Sequence, residues 1–145
     1  MREISFFIVL TILTVQDMKQ KKLSLAVIGA GILTGILFQC IQSTHSVWDL
    51  GFGLVSGLFC CAASVISKGQ IGFGDGLVLL LCTLFYGGTI SVGIYFTASV
   101  IACIYIGVQL IRKKIKKHSR IPFIPFVEIS YIFTVVISVV RGEKI

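Results

Sequence analysis

Acidic residues are scarce in this sequence of 145 residues: there are six, against thirteen lysines and arginines. Charged residues of both signs make up only 13% of the chain, whereas an ordinary soluble domain has about 25%. Hydrophobic residues make up 56%. So few charges cannot cover a water-facing surface, which excludes a soluble protein and indicates a single integral membrane domain over residues 1–145.

Proline, cysteine and histidine are also sparse. The chain has two prolines and no periodic glycine, which excludes collagen-like and low-complexity proteins, and its high apolar content excludes disorder. The five cysteines lie in apolar runs without a C-x-x-C pair, so neither a zinc site nor a disulfide framework is expected. The two histidines lie in separate loops, and they assemble no metal site or serine-histidine-aspartate triad.

Long apolar segments fill most of the chain and predict an all-α, polytopic membrane protein with about six transmembrane helices. The expected helices cover residues 4–16, 23–41, 47–67, 76–111 in two crossings with a break at Gly87-Gly88, and 121–140. Two pairs of glycines, spaced four residues apart on one helix face, predict close helix packing. These pairs are Gly31 with Gly35 and Gly53 with Gly57.

Positive charge is distributed unevenly between the two sets of loops. Ten of the thirteen lysines and arginines fall in the loops after the first, third and fifth helices. Such loops face the cytoplasm, so both termini are expected outside. This orientation, together with attraction to anionic membrane lipid, accounts for the basic excess, and no nucleic-acid partner is expected.

The six acidic residues divide into two groups on this topology. Glu3, Asp49 and Glu143 fall at outer helix ends or loops, where solvated interface charge is the expected interpretation. Asp17, Asp75 and Glu128 lie at or inside the inner membrane edge. An ionisable residue at such a depth is a functional candidate.

Asp17 ends the first helix and Asp75 begins the fourth, so both are expected on the same face of the membrane at similar depth. Two carboxyls a few ångströms apart share one proton. One can then act as general base toward a water while the other donates a hydrogen bond to the carbonyl under attack. Such hydrolysis requires neither a metal nor a cofactor. Asp75 also has an ordinary interpretation, because a carboxylate stabilises a helix start, and the residues alone leave both open.

Two short sequence motifs accompany the aspartates. Gly72, Phe73 and Gly74 precede Asp75, and the segment at 71–75 resembles the G-x-G-D motif of intramembrane aspartic peptidases. The order of an early aspartate, a basic loop and this motif is similar to the type IV prepilin peptidase family in particular. The stretch at 121–126 is similar to the I-P-F-x-P-F sequence that opens the last helix in that family.

The resemblance implies a compact, peptidase-only enzyme with Asp17 and Asp75 as its catalytic pair and Gly72, Phe73 and Gly74 in support. It implies an aspartic endopeptidase of the bacterial or archaeal cell membrane, with its active site on the cytoplasmic side. Its substrates are pilin-like precursors, which carry a short basic leader before a hydrophobic helix. Neither the motifs nor the composition predicts the oligomeric state.

Two other functions are compatible with the same acidic residues. A small proton- or cation-coupled transporter would use Asp17, Asp75 and Glu128 as a path through the bilayer. An inactive pilin-assembly factor is a third possibility, because the I-P-N triplet and the lysine after G-D, common in the family, are missing. Glu128, about two turns inside the last predicted span, is either paired with Arg120 or Lys117 or accessory to the aspartates.

Overall fold

The computed structural model describes residues 2–20, 24–42, 45–67, 72–112 and 121–142. Every regular element in these ranges is an α-helix, which confirms the predicted all-α fold. The six helices are α1 (Arg2–Gln20), α2 (Leu25–Gln42), α3 (Val47–Ile66), α4 (Phe73–Tyr86), α5 (Gly88–Ile111) and α6 (Ile124–Arg141).

Two helix boundaries are set by backbone chemistry. Gly87 separates α4 from α5 with a φ of 78°, a conformation that glycine adopts without steric cost, so the predicted break is confirmed. Helix α6 begins at Ile124, with Pro125 in its first turn, where a missing N–H costs no hydrogen bond. Because α6 begins later than predicted, Glu128 lies little more than one turn inside it, not two.

The helices pack in a closed ring in the order α1, α2, α4, α3, α5 and α6, and α4 also contacts α5. Helix α4 is the most enclosed element. More than half of its fourteen residues are buried: Gly76, Val78, Leu79, Leu81, Cys82, Thr83, Phe85 and Tyr86. Side chains of α1 also reach it, since the ring of Phe6 lies 5.0 Å from that of Tyr86. Helix α4 is therefore held by neighbours on several sides.

The four paired glycines of α2 and α3 all face α4. A Cβ atom at Gly31, Gly35, Gly53 or Gly57 would overlap α4 side chains. The missing side chains let the helices approach closely, as their spacing predicts.

Three helices are long and apolar enough to cross a membrane: α3, α5 and α6. Two shorter apolar helical segments lie in α2, over Leu25–Ile41, and in α4, over Phe73–Tyr86. Helix α1 carries charged residues near both ends, with thirteen uncharged residues between Glu3 and Asp17. The outer surface is rich in exposed apolar side chains such as Phe59, Ile104 and Phe133, as expected for contact with lipid.

Candidate active site

Asp17 lies in the last turn of α1 and its half-buried carboxylate contacts the beginning of α6. Its Oδ2 accepts a hydrogen bond from the backbone N–H of Ile124 at 3.1 Å, and the carboxylate accepts a second from the N–H of Phe123. The first N–H groups of a helix have no partner within the helix. Asp17 therefore caps α6 from another helix, and the positive end of the α6 dipole stabilises its negative charge.

Asp75 lies in the first turn of α4, with its carboxyl folded back over the residue before the helix. Its backbone N–H donates to the carbonyl oxygen of Gly72 at 3.0 Å. A Cβ at Gly72 would lie 2.7 Å from Oδ2 of Asp75, so the side chain occupies space that only glycine leaves free. Within the described part of the chain, no N–H or O–H donates to the carboxyl of Asp75.

The structure places two carboxyls from distant parts of the chain close enough to interact electrostatically. Asp75 interacts electrostatically with Asp17, although the two residues belong to α4 and α1. Their surroundings differ, because Asp17 has two backbone donors and Asp75 has none among the described residues. Two nearby carboxyls in unequal surroundings favour one ionised and one protonated group.

Tyr95 of α5, which the sequence analysis did not identify, contacts both Asp75 and a residue that bonds to Asp17. Its hydroxyl donates to the backbone carbonyl oxygen of Asp75 at 2.7 Å. Its ring packs against that of Phe123, with 5.8 Å between the ring centroids. The N–H of Phe123 in turn bonds to Asp17. No motif marks Tyr95, because only helix packing brings it to this position.

The remaining motif residues surround Asp75. Phe73 is the first residue of α4 and its side chain is half exposed, while Gly74 is half-buried. Gly76 faces α3, where a Cβ would lie 2.6 Å from Sγ of Cys61. Residue 71, the first of the predicted motif, lies outside the described residues.

Glu128 has a hydrogen-bond partner that the sequence analysis did not identify. Its Oε1 accepts a hydrogen bond from Oγ1 of Thr11 at 2.8 Å, which ties α6 to α1. Lys117 and Arg120, the partners predicted from the sequence, lie outside the described residues. Glu128 thus has a neutral hydroxyl as its described partner.

The sequence analysis expected solvated charges at the outer helix ends. Two of these acidic residues instead accept hydrogen bonds from other helices. Asp49 caps α5, because its carboxylate oxygens accept from the N–H groups of Gly88 at 3.1 Å and Thr89 at 2.9 Å. Glu3 accepts from the hydroxyls of Tyr86 and Tyr131, at 2.8 and 3.2 Å. These bonds join helices at the opposite ends of α1 and α4 from Asp17 and Asp75. Glu143 lies outside the described residues.

No group of three or more histidine, cysteine, aspartate or glutamate residues in the described ranges could hold a metal ion. Two interacting carboxyls, such as those of Asp17 and Asp75, can exchange protons with a water.

Comparison with known proteins gives one match. Residues 4–107 match the sequence model of the type IV leader peptidase family. This range includes both Asp17 and Asp75 and ends before the stretch at 121–126. No curated protein and no solved structure matches the chain.

Proposed function

Because the chain belongs to the type IV leader peptidase family, we propose that it is an aspartic endopeptidase acting on pilin-like precursors. In this proposal residues 1–145 form one multi-pass peptidase domain with both termini outside. It removes the short basic leader that precedes the hydrophobic helix of the precursor. The observation that carries the proposal is the convergence of Asp17 and Asp75 in unequal surroundings.

The two carboxyls have distinct roles. Asp17, stabilised as an anion by the N–H groups of Phe123 and Ile124, is the general base. Asp75, which has no donor among the described residues, holds the shared proton and is the general acid. General acid-base catalysis of this kind contributes about 10²–10⁴-fold to a rate.

The reaction proceeds through a tetrahedral intermediate. Asp17 takes a proton from water as the water oxygen bonds to the scissile carbonyl carbon, and Asp75 gives its proton to the carbonyl oxygen. The carbon–nitrogen bond then breaks as Asp17 delivers its proton to the leaving nitrogen, while Asp75 recovers a proton as the carboxyl product forms. Each carboxyl returns to its starting state, so no other co-reactant than water is needed.

The short helix α4 suits hydrolysis at the membrane edge. Its fourteen residues span about 21 Å, whereas the hydrocarbon layer is about 30 Å thick. At least one end of α4 therefore lies below the membrane surface. On the topology given by the basic loops, Asp75 lies at the cytoplasmic end, where a leader and water can both reach it.

The aspartates are tested by matched substitutions in the full chain, co-expressed with a pilin-like precursor. Asp17→Asn and Asp75→Asn are each expected to abolish leader removal while the protein remains in the membrane. Asp49→Asn is the control, since Asp49 also caps a helix from another helix, but its bonds lie next to the opposite end of α4 from Asp75. Asp49→Asn is expected to retain cleavage.

Two results contradict the proposal. If Asp17→Asn and Asp75→Asn both process the precursor fully, the two aspartates are not the catalytic pair. Proton flux in liposomes from a protein that cleaves no precursor supports the transporter alternative instead.

A further inference from the structure

Threonine hydroxyls on these helices are bonded within the protein. Thr11 donates to Glu128, and Thr83, Thr97 and Thr134 each donate to the carbonyl oxygen four residues earlier, at 2.9 to 3.0 Å. This is a common arrangement for threonine in a helix, because the hydroxyl lies beside the preceding turn. It leaves these hydroxyls satisfied without any outside partner.

Thr14 on α1 is the exception. Its residue is only 7% exposed, and its Oγ1 has no hydrogen-bond partner within the part of the chain that the structure describes. Leaving a buried hydroxyl unpaired costs about 1–3 kcal/mol. Buried polar atoms without a protein partner commonly bind water or have a functional role.

The position of Thr14 relates it to the candidate active site. Thr14 precedes Asp17 by three residues, so the two side chains occupy the same face of α1 with Cβ atoms about 5–6 Å apart. One water can bridge two oxygens at such a separation, since each of its hydrogen bonds spans about 2.8 Å. A carboxylate has about four lone-pair sites, so Asp17 can accept from water while it remains bonded to Phe123 and Ile124.

We infer that Thr14 is a positioning residue that holds the attacking water against Asp17. This inference rests on the proposed function. The water donates one hydrogen to the carboxylate of Asp17 and the other to Oγ1 of Thr14, which directs a lone pair of its oxygen toward the scissile carbonyl. Thr14 itself takes no proton, so the stoichiometry of the reaction is unchanged.

The test compares isosteric substitutions in the full chain, purified into liposomes with a pilin-like precursor. Thr14→Val removes the hydroxyl and keeps the shape, whereas Thr14→Ser keeps the hydroxyl. The control is Thr83→Val, because Thr83 is equally buried but its hydroxyl is bonded to the carbonyl of Leu79. For each variant kcat, KM and the unfolding temperature are measured.

Loss of the positioned water is expected to lower kcat of Thr14→Val about tenfold or more, with KM changed by less than about twofold. Thr14→Ser is expected to remain within about threefold of the unmodified protein. Thr14→Val should change the unfolding temperature little, because the hydroxyl that it removes bonds to no other group of the described protein. Thr83→Val should lose stability without a comparable loss of kcat.

Three outcomes overturn the inference: unchanged kcat in Thr14→Val, an equal loss in Thr14→Ser, or a loss of kcat that follows the unfolding temperature. If the unmodified protein and Asp17→Asn release the leader equally, the proposed function fails as well. If only Thr14→Val retains full activity while Asp17→Asn is inactive, the inference about Thr14 fails and the proposed function stands.

Discussion

The carboxylate of Asp17, at the end of α1, accepts a hydrogen bond from the backbone N–H of Ile124, the first residue of α6, at 3.1 Å. The contact joins residues separated by 107 positions and replaces a local helix cap, since α6 has no side-chain cap of its own. It gives Asp17 an electrostatic support that Asp75 lacks among the described residues. The two aspartates are therefore chemically distinguishable.

The first prediction concerns the shared proton. At neutral pH Asp75 is expected to be protonated and Asp17 ionised, because two backbone donors stabilise only the Asp17 anion. Infrared difference spectroscopy measures the carbonyl stretch of a protonated carboxyl, and only six acidic residues contribute. The band should disappear in Asp75→Asn, and it should weaken in Asp17→Asn, because the negative charge of Asp17 favours the protonated form of Asp75. A band that persists unchanged in Asp75→Asn would exchange the proposed base and acid.

The second prediction concerns Tyr95 as a positioning residue for Asp75. Tyr95→Phe removes the hydroxyl that donates to the Asp75 carbonyl oxygen and keeps the ring packing against Phe123. Loss of one hydrogen bond of about 0.5–1.5 kcal/mol is expected to lower kcat by about two- to tenfold. The measurement is kcat and KM of leader cleavage. Tyr105→Phe is the control, because Tyr105 also lies on α5 with its ring against an α6 phenylalanine, Phe126, but its hydroxyl makes no hydrogen bond to Asp75 among the described residues. Equal effects in both variants would contradict the role of Tyr95.

The third prediction concerns the close approach of α3 and α4 beside Asp75. A Cβ at Gly76 would lie 2.6 Å from Sγ and 2.9 Å from the backbone nitrogen of Cys61. Gly76→Ala is therefore expected to lower the free energy of unfolding by about 1–3 kcal/mol and to reduce cleavage. Gly93→Ala meets no atom within 4 Å and should be neutral or up to about 1 kcal/mol more stable. The free energy of unfolding of each variant is measured in detergent micelles. Equal values would contradict the need for close contact between α3 and α4 at Gly76.

The fourth prediction concerns Glu128. Glu128→Gln removes the charge but keeps an oxygen that can accept from the Thr11 hydroxyl, so leader cleavage is expected to stay within about threefold of the unmodified protein. Cleavage of a pilin-like precursor is measured at several pH values. A large loss, or a shifted pH profile, would assign the carboxylate an accessory role in tuning the pair.

Several features could be predicted from the sequence because they depend on local chemistry. The lengths of the apolar runs fix the number of helices, and a glycine pair marks the break at Gly87. The spacing of Gly53 and Gly57 marks a close helix contact without identifying the partner helix. The start of α6 was expected three residues too early, because hydrophobicity continues through a segment that is not helical.

The hydrogen-bond partners of the acidic residues could not be predicted in the same way. The hydrogen bonds of Asp17 end on backbone N–H groups, which every residue except proline carries, so no sequence pattern identifies Ile124 as the partner. Tyr95 and Thr11 are likewise ordinary helix residues until packing brings them beside Asp75 and Glu128.

Hydrophobic length and residue identity are properties of the chain, so six apolar helices and the two candidate aspartates could be predicted from the sequence alone. Tertiary packing is what makes Asp17 cap α6 and leaves Asp75 without a donor, and the buried hydroxyl of Thr14 without a partner, among the described residues. Hydrogen bonding and electrostatic interaction depend on distances of a few ångströms between helices. Those distances are set by how all six helices pack together, which no single segment specifies.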